Sequence, residues 1–484
     1  MRVAILHYHL KPGGVTRVIE NTVRALNQAG VESLVFCCEE PTRKAFPFEN
    51  VRVISGLAYN DSFDQIRADD LKRDLEESCK TEWGALPDLW HVHNHSLAKN
   101  LEVPVVVSNW AREGQKLLLQ IHDFAEDGRP DNYKALLITL AGKDPQRLNN
   151  ILYPTGDHIG YAFINGRDCS YFNQVGVDQD HCNLLANPVW LEVDEDARLD
   201  TPEFQDKRLY LYPTRSIRRK NMGELLLWSA AAADHEVFGS TMAPANPTAL
   251  PIYEGWVSVA DRLNLPVKFG LGTHHSFDAL LNSSYALLTT SIAEGFGLAY
   301  LEPYLIGAQL VGRDLPEITR DFTEFGIHLQ GLYPRLDVPI AWVGKDRLRK
   351  VIHEALVRYH QSYRQSFNKQ MTEIAMDDIT RGDLVDFGRL DESMQETVIE
   401  RVAKSPSLKL EFAPEKLDRL LRDSEVEDNR RIIEKHFNTE SYGQTLLVIY
   451  NKLLEATASG PQFLDTQAVL NCFLDPRRFH LLRT

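Results

Sequence analysis

The chain has 484 residues, 43% of them hydrophobic and 25% charged, and a formal net charge of −15 at pH 7. Because this length exceeds what one hydrophobic core normally holds, at least two domains are expected, and the ordinary composition argues against a disordered chain. Residues 1–200 hold 30 Asp and Glu against 20 Lys and Arg, which argues against nucleic acid or an anionic membrane as a partner.

The six cysteines show no CxxC pair and no regular spacing, which predicts reduced thiols in a cytoplasmic protein. The N-terminal apolar run is too short for a signal peptide, and no stretch reaches the roughly 18 apolar residues that a membrane helix requires. Neither export nor membrane spanning is therefore expected, and the sequence leaves a homodimer open.

The N-terminal segment predicts the opening of a Rossmann-like domain over residues 1–200. Strand Arg2–His7, a glycine turn and the amphipathic helix Thr16–Ala29 form the first part of a right-handed βαβ unit. In the turn, Gly13 and Gly14 place backbone N–H groups at the carboxyl end of the strand, where open α/β sheets bind ligands. An ordinary Gly-Gly corner is the alternative.

Three histidines alternate along a predicted strand that ends in DLWHVHNH. The period of two places His91, His93 and His95 on one face. Three imidazoles could bind zinc, but no acidic residue or cysteine stands nearby, and a histidine cluster is equally natural in a polar cleft. The prediction is therefore that no metal binds, with zinc as the alternative.

A further apolar strand, Leu117–Ile121, ends in His122 and an acidic loop. A histidine at the end of a buried strand is often structural, but this one lies at the same sheet edge as the glycine turn, which favours a function. In the loop, Asp123 and Arg129 are candidates to contact an acceptor, as is His93 on the neighbouring strand.

An acidic, proline-containing linker, Trp190–Asp206, precedes a second predicted Rossmann-like domain over residues 207–365. Its first strand is followed by the basic loop PTRSIRRKN. Arg215 and Lys220 in this loop follow directly on the strand and could neutralise a diphosphate. A solvated basic loop is the alternative.

The stretch TTSIAEGFGLAYLE, Thr289–Glu302, follows a buried strand and combines a glycine turn with two carboxylates. A helix is predicted over residues 298–306, and its N-terminal N–H groups would suit a phosphate. Glu294 lies in the turn, whereas Glu302 lies further along the helix, where it can reach hydroxyl groups.

These residues carry a resemblance to a known family. The two glutamates of EGFGLAYLE, with seven residues between them, and the following GAQLVGRDLPEI resemble the retaining nucleotide-sugar glycosyltransferases of family 4, a group that includes sucrose synthase, sucrose-phosphate synthase and bacterial mannosyltransferases. The resemblance covers residues 1–360 and 436–456. It implies an α/β protein of the GT-B fold, with two Rossmann-like domains facing each other across a cleft. Residues 366–435 would be a helical insertion, and residues 436–484 a terminal crossover helix and tail.

The resemblance also implies roles for individual residues. His122, Glu294, Arg215 and Lys220 would form the catalytic set: His122 would face the transferred sugar, the two cations the donor diphosphate, and Glu294 the donor sugar hydroxyls. Glu302 would bind the ribose. The donor-binding set comprises Gly13, Gly14, Arg215, Lys220, Gly270, Leu271, Glu294, Gly295, Phe296, Gly297, Leu298 and Glu302.

The implied activity is transfer of a hexosyl group from a nucleotide sugar, with retention, to a small soluble hydroxyl acceptor such as a sugar, a polyol or a glycerate-like compound. No metal or other cofactor is expected. Two alternatives stay open: a catalytically silent regulatory protein that binds a nucleotide sugar, and a GT-B nucleotide-sugar epimerase. The identities of the base, the hexose and the acceptor do not follow from the sequence.

Overall fold

The computed structural model describes residues 1–412, 417 and 419–483. Its strands are β1 (Arg2–Leu6), β2 (Glu32–Cys37), β3 (Val51–Val53), β4 (Leu89–His93), β5 (Leu117–Ile121), β6 (Pro154–Thr155), β7 (Ile159–Phe163), β8 (Cys182–Leu184), β9 (Arg208–Arg215), β10 (Glu236–Met242), β11 (Val267–Lys268), β12 (Ala286–Thr289), β13 (Leu310–Gly312), β14 (Asp337–Pro339), β15 (Thr380–Arg381), β16 (Leu384–Asp386) and β17 (Gln462–Phe463).

The helices are α1 (Gly14–Gln28), α2 (Gln65–Trp83), α3 (Val103–Arg112), α4 (Pro130–Lys134), α5 (Pro145–Asn149), α6 (Gly166–Gln174), α7 (Met222–Ala230), α8 (Leu250–Leu263), α9 (Phe277–Asn282), α10 (Glu302–Leu305), α11 (Pro316–Glu324), α12 (Lys345–Ser362), α13 (Gln370–Ile379), α14 (Glu392–Ala403), α15 (Pro406–Glu411), α16 (Asp423–His436), α17 (Thr439–Glu455) and α18 (Thr466–Phe473). Within the described ranges, no helix is both long enough and apolar enough to cross a membrane.

The chain divides into two compact units. Unit 1 comprises Met1–Pro188, Ser362–Arg364 and His436–Asp475, and unit 2 comprises Val189–Gln361, Gln365–Lys435 and Pro476–Thr484. Each unit is built around its own parallel sheet with helical connections, which is the Rossmann-like arrangement.

Unit 1 contains a seven-stranded parallel sheet in the order β3-β2-β1-β4-β5-β7-β8. Its central strands β4 and β5 are completely buried, as central strands of a parallel sheet usually are, although β4 contains two histidines and β5 a glutamine. From β1 the chain first adds strands on one side and then crosses to β4 on the other. The carboxyl ends of β1 and β4 therefore flank the topological switch point, the place where open α/β sheets bind ligands.

Helix α17 is part of unit 1 although it lies near the end of the chain. Leu446 and Leu453 belong to the same core as Val3 and Ile5 of β1. Two tyrosine hydroxyls reinforce this packing: that of Tyr442 lies 2.8 Å from Thr22 Oγ1, and that of Tyr450 lies 2.8 Å from His91 Nδ1. The segment 436–456, predicted to return to the first domain, thus packs on α1 and the sheet.

Unit 2 contains a five-stranded parallel sheet in the order β11-β10-β9-β12-β13. Strand β9 pairs with β10 on one side and with β12 on the other, so the switch point lies between β9 and β12. The loop that follows β9 and the glycine turn that follows β12 consequently lie at one edge of this sheet. They are the two segments in which the sequence predicted the diphosphate and donor-sugar contacts.

Residues 366–435 contain helices, as predicted, but also the short strands β15 and β16. Strand β16 pairs antiparallel with β14, with Val385 opposite Val338. Met394, Val398 and Val402 of α14 lie in the core of unit 2 together with Trp228. The described part of this segment therefore contributes to the core of unit 2, and the rest of it lies outside the described residues.

Candidate active site

Hydrogen bonds to backbone carbonyls of the loop after β9 join this loop to the segment after β12. The Ile292 N–H donates to the carbonyl of Arg219 at 3.0 Å, and the Thr290 hydroxyl donates to the carbonyl of Lys220 at 2.9 Å. Asn221, which ends the loop with φ of 52°, lies in the left-handed region that asparagine tolerates better than most residues. These bonds hold the basic loop against the segment that carries Glu294.

Glu294 lies between two cations of that loop. Arg219 Nη1 donates to Glu294 Oε2 at 2.9 Å, and Lys220 Nζ donates to Glu294 Oε1. Burial acts to raise the pKa of Glu294, but the charges of Lys220 and Arg219 outweigh it and hold that pKa below its usual value. The carboxylate therefore stays ionised at neutral pH, and the group carries two positive charges against one negative charge.

The four cations of this region have different partners. Arg219 and Lys220 bind Glu294, whereas Arg218 Nη2 lies 3.0 Å from Glu392 at the start of α14. Arg215 is exposed at the end of β9 and forms no ion pair with any residue that the structure describes. Sequence reasoning selected Arg215 and Lys220 and missed Arg219, for which its position next to Lys220 was the only signal.

The glycine turn lies after β12, as predicted, but the residues that follow it do not form the predicted helix. Gly297 has φ of 97°, and a Cβ there would lie 3.0 Å from side-chain atoms of Ile318 and Tyr300, so only glycine fits without strain. The continuous helix predicted over residues 298–306 is wrong: a 3-10 turn over Leu298–Tyr300 is followed by the short α10. Pro303 explains the break, because it has no N–H for the preceding turn.

The remaining donor candidates of unit 2 lie around the same sheet edge. Glu302 is the first residue of α10, Gly295 and Leu298 are exposed, and Phe296 is buried against Phe322 at 5.5 Å between ring centroids. Gly270, with φ of 69°, and Leu271 follow β11. Leu271 packs closely on β10, since a Cβ at Gly239 would lie 2.5 Å from its Cδ1.

In unit 1, the glycine turn directly precedes α1. Gly13 is extended, with φ of 175°, and Gly14 is the first residue of the helix. A Cβ at Gly14 would meet no atom within 4 Å, so neither position requires glycine for conformational reasons. Both residues are exposed beyond the carboxyl end of β1, where the sequence predicted them to be.

His122 lies directly after β5 and hydrogen-bonds to His93, the last residue of β4. His122 Nε2 and His93 Nδ1 are 2.9 Å apart, and the two rings are stacked at 5.2 Å. His93 stacks in turn on His91 at 4.4 Å. Burial, with a smaller contribution from His91, lowers the pKa of His122 to about 3, and burial lowers the pKa of His91 to about 4. At neutral pH this stack therefore consists of uncharged imidazoles.

His91 and His95 have partners other than a metal. The ring nitrogens of His91 lie 2.8 Å from the Tyr450 hydroxyl and 2.9 Å from Gln120 Oε1, and His95 Nε2 lies 2.9 Å from the carbonyl oxygen of Leu152. Among the described residues, no group of three or more His, Cys, Asp or Glu side chains is arranged to hold a metal ion.

The acceptor candidates of unit 1 differ in exposure. Asp123 and Arg129 form an ion pair with 41% and 37% of their side chains exposed, whereas His93 is completely buried beneath His122. Asn94 was not predicted: in the left-handed conformation, with φ of 55°, its Oδ1 accepts from the backbone N–H of His122 at 2.7 Å and of Asp123 at 3.2 Å. Asn94 thereby orients the start of the loop that follows β5.

Comparison with known proteins supports the fold. No family model matches the chain. The chain is 25% identical over 485 residues to mannosylglucosyl-3-phosphoglycerate synthase of Petrotoga mobilis, covering 95% of this chain and 92% of that protein. It is similar in structure to Anabaena HepE in complex with UDP and glucose, with a TM-score of 0.51 and 13% identity over 93% of this chain and 99% of that one. For sucrose-phosphate synthase of Thermosynechococcus elongatus the TM-score is 0.52, with 15% identity over 93% and 98% of the two chains.

These likenesses agree with the two parallel sheets. The fold is that of the GT-B glycosyltransferases, as the resemblance in the sequence implied. The sequence relative, which matches over nearly the whole chain, supports a glycosyltransferase of this type.

Proposed function

We propose that this protein transfers a hexosyl group from a nucleotide sugar to a small, hydroxyl-rich acceptor, with retention of configuration at the anomeric carbon. The observation that carries the proposal is the group formed by Arg219, Lys220 and Glu294 at the switch point of unit 2. A cationic group at the carboxyl edge of a parallel sheet suits the diphosphate of a nucleotide sugar.

The chemistry requires stabilisation of a leaving diphosphate. As the bond between the sugar and the diphosphate breaks, negative charge grows on the phosphate oxygens, and preorganised cations lower the energy of that state. Lys220 and Arg219 are held by Glu294, and the exposed Arg215, the last residue of β9, adds a third cation just before the loop. Glu294 has a second role in the proposal, since an ionised carboxylate accepts hydrogen bonds from sugar hydroxyls.

Unit 1 would receive the acceptor and contact the transferred sugar. The neutral His122 suits a hydroxyl group, because an uncharged imidazole can either donate to it or accept from it. Its low pKa makes it a weak base, which fits a front-face mechanism in which the donor phosphate itself takes the acceptor proton. No protein base and no metal ion would then be needed.

The proposed acceptor is a sugar or a glycerate-like compound. Mannosylglucosyl-3-phosphoglycerate synthase is named for a glycerate product that carries sugars and a phosphate, and HepE was crystallised with UDP and glucose. Arg129, which is 37% exposed, could pair with an anionic group on such an acceptor. None of the six cysteines, all of which lie within the described residues, forms a disulfide bond, which fits the proposed cytoplasmic location.

Release of nucleotide from GDP-, UDP- and ADP-sugars, with and without candidate acceptors, tests the reaction. Release that depends on an acceptor such as 3-phosphoglycerate or its glucoside, together with a product of unchanged anomeric configuration by NMR, is the expected result. Turnover without an acceptor and with epimerised donor would identify an epimerase. Nucleotide binding without any turnover would identify a regulatory protein.

Two glutamine variants test whether Glu294 and Glu302 have different roles. Glu302→Gln should mainly weaken nucleotide binding if Glu302 binds the ribose, whereas Glu294→Gln should chiefly slow sugar transfer. Glu324→Gln, at the end of α11, provides a matched control. Normal binding and normal turnover in both test variants would refute the proposed site.

A further inference from the structure

Residues Pro476–Arg483, near the C-terminus, have no counterpart in the resemblance found in the sequence, and they belong to unit 2 although α17 and α18 before them belong to unit 1. We propose that this C-terminal segment is a positioning element of the donor site, which braces the turn that presents Arg219 and Lys220 to the donor diphosphate. The inference rests on the proposed function, because it assumes that this turn binds a diphosphate.

The segment is anchored in unit 2 by apolar contacts. Phe479 and Leu481 are 7% and 3% exposed and belong to the core cluster of this unit. Phe479 lies 6.1 Å from Tyr359 of α12, measured between ring centroids. Burial of two large apolar side chains stabilises the segment against detachment from the core.

Polar contacts fix the backbone of the segment and connect it to the residues that follow β13. Arg389 Nη1 donates to the Phe479 carbonyl at 2.7 Å. Arg478 Nη2 lies 3.3 Å from Glu317, the glutamate of the RDLPE sequence, in the first turn of α11. The segment thus links α11 to the part of unit 2 that contains Arg389.

The end of the segment reaches the proposed donor site. The 3-10 turn Leu481–Arg483 packs against the 3-10 turn Arg218–Lys220. Leu482, which is 3% exposed, is buried in this region of the chain. The turn Arg218–Lys220 is also held by two carboxylates: Glu392 pairs with Arg218, and Glu294 pairs with Arg219 and Lys220.

The consequence concerns the placement of charge. Two adjacent cations near one carboxylate repel each other, so the turn needs support from outside the ion pairs to keep both directed at the same place. The C-terminal turn, which contains the buried Leu482 together with Arg483, lies against the donor turn and supplies this support. Removing it should leave unit 2 folded but allow the cations to move, and a misplaced preorganised charge loses much of its effect.

The test uses the full chain, a variant that ends at His480 and therefore keeps the Phe479 anchor, and the point variants Leu482→Ala and Leu482→Met. The dissociation constants of UDP, GDP and ADP are measured by calorimetry well below the unfolding temperature. The truncated chain and Leu482→Ala should bind the preferred nucleoside diphosphate about tenfold more weakly. Leu482→Met, which conserves volume, should restore most of the affinity.

Leu421→Ala is the matched control. Leu421 is 6% exposed in unit 2, but its N–H and carbonyl bond to Gln309 at the amino end of β13, the opposite edge of the sheet. The Leu421→Ala substitution should lower the unfolding temperature without changing the dissociation constant of the nucleoside diphosphate. If the full chain, the truncated chain and Leu482→Ala bind the nucleotide with equal affinity, the inference is refuted and the proposed function stays intact. Absence of binding in the full chain itself would refute the proposed function and the inference together.

Discussion

Units 1 and 2 each contain a parallel sheet with a switch point. They differ in the polar side chains that lie at and below the carboxyl edge of that sheet. In unit 1 a stack of uncharged rings, His91, His93 and His122, lies below the loop that carries the partly exposed Asp123 and Arg129, and a hydrogen bond joins His93 to His122. In unit 2 the polar groups are ions, with Glu294 between Arg219 and Lys220.

A second, deeper ionic group strengthens the contrast. Arg313, only 4% exposed, lies between two buried carboxylates: Nη2 is 2.6 Å from Glu224 and 2.9 Å from Asp386. Burial acts to lower the pKa of Arg313, but Asp386 and Glu224 outweigh it and raise that pKa well above its usual value. This group joins α7 and β16 to the residue that directly follows β13.

Under the proposed function, this difference would let one fold bind two unlike partners. Neutral rings suit hydroxyl groups, which need hydrogen bonds but no net charge, whereas a diphosphate needs cations that are already desolvated and oriented. The two units should therefore respond to different perturbations: unit 2 to loss of a charge, and unit 1 to a fall in pH.

The largest effect is expected for Arg313→Met. Glu224 and Asp386 would be left buried without their cation, which typically costs 3 to 5 kcal/mol of unfolding free energy. Arg349→Met is the control, because Arg349 and its partner Glu373 are 42% and 51% exposed and such a pair is worth about 0 to 1 kcal/mol. Urea denaturation measures both losses, and equal losses would contradict a special role for the buried group.

The next effect is expected for Lys220→Ala. Charge-assisted hydrogen bonds contribute roughly 1.5 to 3 kcal/mol, so kcat/KM should fall about ten- to a hundredfold or more. Lys350→Ala, which removes a lysine with 76% of its side chain exposed, should leave the kinetics unchanged. Steady-state assays with donor as the varied substrate decide the matter, and an unaltered kcat/KM would remove Lys220 from the site.

A smaller, graded effect is expected from pH. The pKa of His91 is about 4 in the folded protein against an ordinary value of 6.5, so on acidification the unfolded chain takes up this proton first. Stability should therefore fall between pH 6.5 and pH 4 by about 1.4 kcal/mol per pH unit for this histidine. His91→Gln should make the pH dependence of the unfolding free energy shallower by about one proton, whereas the exposed His274→Gln should not. Parallel slopes for all three proteins would show that the neutral stack does not control acid stability.

The smallest effect is expected from chelation. Since the proposed cations are side chains in unit 2, activity in EDTA should equal activity in buffer. Loss of activity in EDTA, restored by added zinc, would instead revive the histidines of unit 1 as metal ligands and weaken the contrast between the two units.

The part of the site that could be predicted from the sequence follows from the geometry of parallel sheets. Arg215, Lys220 and Glu294 each come shortly after an apolar strand, and parallel strands carry their following loops to the same edge. Lys220 and Glu294 do lie in contact. The same reasoning placed His122 and the glycine turn of unit 1 at one edge, after β5 and β1.

Other features required the structure, because their partners are distant in the chain. Three consecutive cations, Arg218 to Lys220, look alike in the sequence, yet one binds Glu392 and two bind Glu294. The break before α10 depended on one proline within an otherwise helical composition.

The sequence by itself determined the two α/β units and the loops that carry the candidate residues, because strand and helix periodicity and glycine turns are local signals. Only the tertiary structure decided the protonation and pairing of those residues. Burial makes the histidines of unit 1 neutral, whereas the charges of Lys220 and Arg219 keep Glu294 ionised against the effect of its burial. Likewise the C-terminal segment reaches the donor turn only through long-range packing, since desolvation and distant contacts arise when the chain is folded.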